Sequence, residues 1–94
     1  MIQFEWDNAK AKSNLIKHKV SFETALRAFA DPMVYTEQDR IENGEERWQT
    51  IGMVDGHLLL LIVHTVLIDS VETVRIISAR KADPRERKKY EQHN

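Results

Sequence analysis

The chain has 94 residues, which predicts one domain and leaves no room for a second. Its 41% hydrophobic and 31% charged residues are typical of a folded protein and exclude a disordered tail. The absence of cysteine excludes disulfides and thiolate metal sites. The N-terminus lacks the pattern of a signal peptide, and the longest apolar run, Leu58–Val63, is far shorter than the roughly 20 residues of a membrane helix. We therefore expect a cytoplasmic protein.

The net charge of −1 hides a separation of charge along the chain. Residues 31–55 hold seven acidic residues against two arginines, a net charge of −5. Residues 75–90 hold seven basic residues against two acidic ones, a net charge of +5. A basic segment of this kind can form a face that binds phosphates, despite the near-neutral total. The alternative interpretation is a solvated terminal helix.

The first part of the chain predicts one strand and two helices. Apolar and polar residues alternate over residues 2–6, as in a half-buried strand. Asp7 and Ser21 are suited to cap helices, because their side-chain oxygens accept free backbone N–H groups of a first turn. The first helix is expected to run to about His18. The second has apolar residues at helical spacing and ends before Pro32, because proline disfavours the helical conformation in the residue before it.

The rest of the chain predicts strands and a final helix. Strands are expected at Met33–Thr36, Arg47–Val54, Leu58–Val66 and Glu72–Ala79, with turns at Asp55-Gly56 and Leu67–Val71. The polar stretch Glu37–Glu46 contains Asn43-Gly44 and is expected to be a loop or a loose hairpin connection. The final helix starts at Asp83-Pro84, with Glu86 reaching back to the cap, and runs to about Gln92.

The predicted order is therefore β-α-α-β-β-β-β-α, an α+β fold. Consecutive hairpins give an antiparallel sheet, with two N-terminal helices packed on one face and a C-terminal helix following the last strand. An architecture of this kind supports several functions, so it does not identify one.

Several blocks of sequence resemble the BrnT family of toxins. They are Phe4-Glu5-Trp6-Asp7, Asn14, Lys17–Phe22, Asp31-Pro32, Glu45–Trp48, Ile51-Gly52, Arg75–Ala82, Glu86-Arg87 and Tyr90-Glu91. The block Arg75–Ala82 is the strongest. Each block alone is weak, but their combination in this order over nearly the whole chain is specific.

The resemblance implies a RelE-like fold and the toxin of a type II toxin–antitoxin system. It implies a metal-independent endoribonuclease without a cofactor, which cleaves RNA and inhibits translation. The implied partner is a BrnA-like ribbon-helix-helix antitoxin that binds operator DNA, so the toxin contacts DNA only indirectly and no membrane is involved. Lys19 stands where the family usually has glycine, and Leu67, two residues after Thr65, stands where many members have arginine.

Cleavage of RNA without a metal needs a base for the 2′-hydroxyl, cations for the pentavalent phosphorus and an acid for the 5′-oxygen. Arg75 and Arg80 are the candidate cations, because a guanidinium pairs with two phosphate oxygens and stays charged. The alternative for both is a structural ion pair. Strand alternation predicts that Arg75 shares a face with Ile77 and Ala79, and Arg80 can turn toward or away from that cleft.

Other polar residues have two interpretations each. Arg47 is expected on the sheet, with Glu46 either acting as the base or holding Arg47 in place. His18 either transfers a proton near neutral pH or caps helix carbonyls. His64 is expected to be a core histidine with satisfied hydrogen bonds. The residues expected to attract RNA by charge are Lys81, Arg85, Lys88 and Lys89.

A second hypothesis is that the chain binds the antitoxin but does not catalyse RNA cleavage. Leu67 replaces an arginine of the family, and no residue is an unambiguous base. Both facts favour a catalytically weak or inactive interaction module that acts only within an antitoxin/DNA-bound repressor complex.

Overall fold

A computed structural model describes residues 1–93. The elements follow one another as β-α-α-β-β-β-β-α, so the predicted order is confirmed. The strands are β1 Ile2–Glu5, β2 Tyr35–Glu42, β3 Glu45–Val54, β4 Leu58–Ile68 and β5 Glu72–Lys81; the helices are α1 Asn8–His18, α2 Phe22–Ala28 and α3 Pro84–His93. Within the described residues, no helix has the length and apolar character needed to cross a membrane.

The five strands form one sheet in the order β1-β5-β4-β3-β2. The four later strands are joined by hairpins and pair antiparallel, as expected. Helices α1 and α2 connect β1 to β2, which lies at the opposite edge of the sheet. β1 pairs with β5 in parallel orientation. This parallel pair is short, covering only Glu72–Arg75 of β5, and the rest of β5 is left without a strand on that side.

Helices α1 and α2 cover one face of the sheet, which we call the helix face. Its core contains nine buried residues: Val20, Phe22, Ala25, Ala28, Val54, Leu60, Ile62, Ile76 and Ala79. The end of α2 approaches β3 so closely that a Cβ atom at Gly52 would lie 2.3 Å from the carbonyl oxygen of Ala28. Only glycine fits there, which explains the Ile51-Gly52 block of the sequence.

Helix α3 covers part of the opposite face, which we call the outer face. Tyr90 packs there against a small cluster formed by Ile51, Leu59 and Leu61. The Tyr90 hydroxyl also donates to Asp31 Oδ2 at 2.5 Å, and the Met53 N–H donates to the same oxygen at 2.8 Å. Asp31 thus links α3 to β3.

The Asp31–Tyr90 contact changes the ionisation of both groups. Burial opposes the charge of Asp31, but hydrogen bonds from Tyr90, Met53 and Met33 outweigh it and lower the pKa of Asp31. Burial, together with the hydrogen bond to Asp31, raises the pKa of Tyr90 to about 12. Tyr90 therefore remains a hydrogen-bond donor over the whole neutral range.

Asn14 completes the sheet where β1 ends. Its side chain is buried, and its Nδ2 donates to the carbonyl oxygens of Ala79 at 2.8 Å and Val20 at 2.9 Å. The Ala79 N–H donates in turn to Asn14 Oδ1 at 3.1 Å. The amide therefore pairs with the open edge of β5 as a neighbouring strand would, since a buried backbone group without a partner is costly.

The predicted helix caps are confirmed. Asp7 Oδ1 accepts from the Ala9 N–H at 2.8 Å, and Ser21 Oγ accepts from the Thr24 N–H at 3.0 Å. Lys19 ends α1 in the left-handed conformation, with φ 62° and ψ 26°. Glycine, which the family resemblance implies at this position, adopts that conformation more readily than lysine.

Of the two alternatives for Glu37–Glu46, the loop is wrong and the hairpin is present, although it is tight and not loose. This stretch contains most of β2 and the start of β3, joined by a two-residue turn in which Asn43 and Gly44 have φ of 53° and 77°. β2 is an edge strand that gains its stability from pairing with β3, so it shows no apolar alternation. The expected strand over Met33–Thr36 also starts too early, and β4 continues to Ile68, beyond the predicted Val66.

The predicted alternation along β5 is also wrong beyond Ile76. Val63 lies opposite Ser78, whereas the next residue of β4, His64, lies opposite Ile76, so Ile77 is an extra residue and forms a β-bulge. After the bulge, each side chain of β5 lies on the face opposite to the one that regular alternation predicts. Ala79 is fully buried on the helix face, and Arg75 does not share its side of the sheet.

His64 is a core histidine, as predicted. It is 2% exposed, its Nε2 lies 2.7 Å from the Thr50 hydroxyl, and its ring packs edge-on against Phe29. Burial lowers the pKa of His64, and the hydrogen bond to the Thr65 carbonyl only partly offsets this.

Replacing Lys19 with glycine should stabilise the fold by about 0.5–1 kcal/mol. Glycine adopts the left-handed conformation without the Cβ clash of lysine, although it raises the entropy of the unfolded chain. Urea unfolding of Lys19→Gly measures the difference, with Lys17→Gly as the control inside α1. Lys17→Gly should lower the free energy of unfolding, so a loss of stability in both variants would contradict the prediction.

The free energy of unfolding should fall as the pH decreases from 7.5 to 5.5. The unfolded state binds a proton near the ordinary pKa of 6.5, whereas folded His64 binds one only at lower pH. The contribution of neutral His64 to stability is therefore complete above about pH 6.5 and is lost below it. The loss is about 1.4 kcal/mol for each unit by which the pKa of His64 is lower in the folded than in the unfolded state. Urea unfolding of the wild type and His64→Gln over this range tests it, and an equal decline in both would refute the role of His64.

Candidate functional site

A row of polar side chains crosses the outer face at the end that α3 does not cover. In the strand register, Arg40 of β2 lies opposite Arg47 of β3, and Thr65 of β4 lies opposite Arg75 of β5. The paired register of β3 and β4 ends at Trp48 opposite His64, and Arg47 and Thr65 are the next residues on the two strands. On the other side of β5, Glu5 of β1 lies beside Arg75. Three arginines from three strands therefore share one line across the sheet.

The row borders an open groove of about 600 Å³. Four strands and the turn after β2 contribute to its walls. The lining residues are Glu5, Gly44, Glu45, Glu46, Thr65, Val66, Leu67, Thr73 and Arg75. Leu67 is 65% exposed and lines this groove.

One carboxylate connects two of the arginines. Glu45 Oε2 lies 2.7 Å from Arg75 Nη2, and Glu45 Oε1 lies 3.4 Å from Arg47 Nη2. Glu42, on the other side of the turn, lies 3.6 Å from the same Arg47 nitrogen. The Arg75 side chain is 48% exposed, whereas that of Arg47 is 13% exposed. Among residues 1–93, the buried Nε of Arg47 has no hydrogen-bond partner.

The sheet places Arg80 away from this pair. The bulge puts Arg80 on the outer face together with Arg75, but the two residues are five positions apart, about 15 Å along a strand. Both Nη atoms of Arg80 donate to Glu86, at 2.9 and 2.8 Å, and this pairing raises the pKa of Arg80. Glu86 Oε1 also accepts from the Asp83 N–H at 2.9 Å, so the predicted capping box is present. Arg80 therefore fastens the start of α3 to the sheet.

The remaining predicted residues also lie outside the groove. His18 lines a shallow depression beside the open edge of β5, with Lys10, Lys17 and Ser78, and that depression shares no residue with the groove. Lys89 Nζ donates to Glu37 at 2.7 Å, which lowers the pKa of Glu37. The exposed side chains of Lys81, Arg85 and Lys88 are not among the residues that line the groove.

The two oppositely charged segments of the sequence meet in the structure. Arg75 pairs with Glu45, and Lys89 pairs with Glu37, so basic residues of the later segment contact acidic residues of the earlier one. Some of the positive charge that the sequence suggested for RNA is therefore neutralised within the chain.

Sequence reasoning missed Glu45, Thr65 and Arg40. The signal for Glu45 was the Asn43-Gly44 pair, which marks a tight hairpin and places the flanking carboxylates beside the neighbouring strands. Nothing in the sequence brings Thr65 level with two arginines, because that alignment depends on the register of three strands. Within residues 1–93, no group of three or more histidine, aspartate or glutamate side chains is arranged to hold a metal ion.

Replacing Arg80 with alanine should lower the free energy of unfolding by about 1–2 kcal/mol. The change removes two charge-assisted hydrogen bonds and leaves the carboxylate of Glu86, whose side chain is only 14% exposed, with one fewer partner. Arg27→Ala is the matched control, since Arg27 pairs with Asp55 where both side chains are more than half exposed. Urea unfolding compares the two, and equal losses would contradict this role for Arg80.

Comparison with known proteins places the chain in a family. The model of the family described as the ribonuclease toxin BrnT of type II toxin–antitoxin systems matches residues 6–86. Among solved structures, the chain is similar to the Brucella abortus ribonuclease toxin BrnT, determined at 1.1 Å resolution, with a TM-score of 0.57 and 20% identity. The similarity covers 88% of this chain and 99% of that one and supports the fold alone; no curated protein matches. Because the family model spans most of the sequence, the chain belongs to the BrnT family of ribonuclease toxins of type II toxin–antitoxin systems.

Proposed function

We propose that this chain is a metal-independent endoribonuclease that cleaves RNA in the groove beside Arg47 and Arg75 and thereby inhibits translation. Membership of the family implies ribonuclease activity and an antitoxin partner. The observation that supports this location is the pair of guanidiniums that meet at one carboxylate in an open groove. A site that accommodates two carboxylate oxygens between two arginines is suited to two oxygens of a phosphodiester.

The proposed reaction uses the 2′-hydroxyl of the RNA. A base removes its proton, the 2′-oxygen bonds to phosphorus, and the bond from phosphorus to the 5′-oxygen breaks. The leaving oxygen takes up a proton, which gives a 2′,3′-cyclic phosphate and a 5′-hydroxyl. Arg47 and Arg75 stabilise the extra negative charge on phosphorus in the transition state. Glu46 lines the groove and is the proposed base. The alternative that Glu46 holds Arg47 in place is not supported, because the carboxylates that pair with Arg47 are those of Glu42 and Glu45.

The other basic residues extend the contact with RNA beyond the reacting phosphate. Arg80 is separated from Arg75 along the strand, so we assign it to the flanking RNA chain and to holding α3. Lys81, Arg85, Lys88 and Lys89 attract RNA in the same way, and salt weakens this attraction. His18 borders a different depression, and the proposal gives it no step in the reaction.

The proposed partner is a BrnA-like ribbon-helix-helix antitoxin, which neutralises the toxin and connects it indirectly to operator DNA. The apolar surface of α1 supports a protein partner. Leu15 and Ile16 of this helix are 48% and 74% exposed. Exposed apolar side chains next to each other favour burial against another chain.

A second candidate function is the catalytically inactive interaction module. It is favoured by Leu67, which offers no charge to the groove, and by the carboxylates that neutralise Arg47 and Arg75. In that case the chain acts only inside the complex with its antitoxin. The two functions differ in whether the chain cleaves RNA when expressed alone.

Replacing Arg75 with alanine should lower the rate of RNA cleavage by about 100-fold or more, in line with the loss of one donor to a transition-state oxyanion. The assay follows a purified RNA in EDTA, together with growth arrest when the chain is expressed without antitoxin. Arg27→Ala is the matched control, because it removes an exposed arginine paired with a carboxylate on a part of the surface that does not line the groove.

The outcomes separate the hypotheses. Cleavage by the wild type and by Arg27→Ala, with loss in Arg75→Ala, supports catalysis in the groove. A wild type that neither cuts RNA nor arrests growth supports the inactive module. Undiminished cleavage by Arg75→Ala would reject this site within an active enzyme.

A further inference from the structure

We infer that the carboxylate of Glu45 is an internal substitute for the RNA phosphate, which holds Arg47 and Arg75 while the groove is empty and is displaced when RNA binds. The inference rests on the proposed function for the identity of the anion. It adds a residue that controls access to the site, and it assigns to the acidic turn a role in binding.

The geometry singles out Glu45 among the acidic residues around the groove. Its two oxygens divide between the arginines, with Oε2 at 2.7 Å from Arg75 and Oε1 at 3.4 Å from Arg47. Glu42 reaches Arg47 alone, at 3.6 Å. Glu5 lines the same groove but forms no ion pair within the described part of the chain.

The carboxylate fills the site incompletely. Its distance to Arg47 exceeds the 2.7–3.2 Å of a good hydrogen bond, and so does the distance from Glu42. A tetrahedral phosphate carries more acceptor oxygens than a carboxylate and can bridge the arginines with shorter bonds. The site is thus better matched to the ligand than to its present occupant.

The side chain of Glu45 can be displaced from the arginines. Its side chain is 40% exposed, and it begins β3 immediately after the Asn43-Gly44 turn, so it can rotate into water without unfolding a strand. An ion pair this exposed contributes little to stability. Meanwhile the carboxylate keeps two guanidiniums of like charge oriented toward one point, which prepares the site for an anion.

The test compares Glu45→Gln with wild type for binding of inorganic phosphate, followed through the NMR signals of the arginine side chains. Glutamine keeps the shape of the side chain but removes the competing charge. We expect binding to tighten by about twofold to fivefold, the range available from loss of one exposed ion pair. Glu5→Gln is the matched control: Glu5 lies beside Arg75 in the register but forms no ion pair with it within residues 1–93. The variant removes one charge from the same groove without removing a contact to an arginine, and it should change binding less than twofold.

Further variants make the result specific. Glu45→Ala should also tighten phosphate binding, which shows that the effect comes from loss of the carboxylate and not from the glutamine amide. In the Arg75→Ala background, the gain from Glu45→Gln should shrink, because the competition takes place at Arg75. Thermal unfolding of each variant confirms that the fold is intact.

Three results would overturn the inference: unchanged or weaker phosphate binding in Glu45→Gln, an equal gain in Glu5→Gln, or an undiminished gain without Arg75. RNA cleavage is measured separately with the wild type. Failure of the wild type to cleave RNA counts against the proposed nuclease, whereas the phosphate comparison decides the role of Glu45 whether or not RNA is cut.

Discussion

The extra residue at Ile77 determines which side chains meet on each face of the sheet. Five positions separate Arg75 from Arg80, so regular alternation would direct them to opposite faces. One of the two would then enter the core against α1 and α2, where an unpaired guanidinium is very costly. The bulge instead sends Ala79 into that core and both arginines to the outer face. It lies next to the place where β1 ends and Asn14 pairs with the β5 backbone, so the irregular strand edge keeps its hydrogen bonds.

Helix α3 then divides the outer face into two regions with different properties. Its position depends on the hydrogen bond from Tyr90 to Asp31 at one point and on the pairing of Arg80 with Glu86 at another. One region of the face becomes a small apolar core, while the end that carries Arg75 remains open to solvent. Arg75 and Arg80, which were equivalent candidates in the sequence, therefore have different surroundings. Arg75 lines the groove, whereas Arg80 pairs with Glu86 of α3, the helix that covers the other part of the outer face.

The sequence was sufficient for the element order, the helix caps and the buried His64, because each depends on local chemistry or on a continuous apolar run. It failed for β2, whose edge position leaves polar residues on both sides and removes the apolar signal. The sequence also did not predict which side chains of β5 lie on each face, because a bulge depends on the pairing with β4 and has no characteristic residue pattern here. Of the residues predicted for the candidate site, Arg75 and Glu46 line the groove and Arg47 contacts Glu45, which lines it. The role proposed for Glu45 depends on the exact register of a hairpin that the sequence indicated only as a loop or a loose connection.

The acidic turn explains how a chain of net charge −1 can hold Arg47 and Arg75 beside one carboxylate: three glutamates and one arginine line the groove, so its charge is not basic overall. Two guanidiniums close together repel one another, and Arg47 is too buried to rely on water alone. A neighbouring carboxylate on the same chain acts at a high effective concentration, on the millimolar scale for a short tether, so it offsets this repulsion without an external ion. The same competition disfavours small anions, which offer a single phosphate. Under the proposed function, an RNA chain that also reaches the cations of α3 gains additional contacts and more counterion release than a free phosphate.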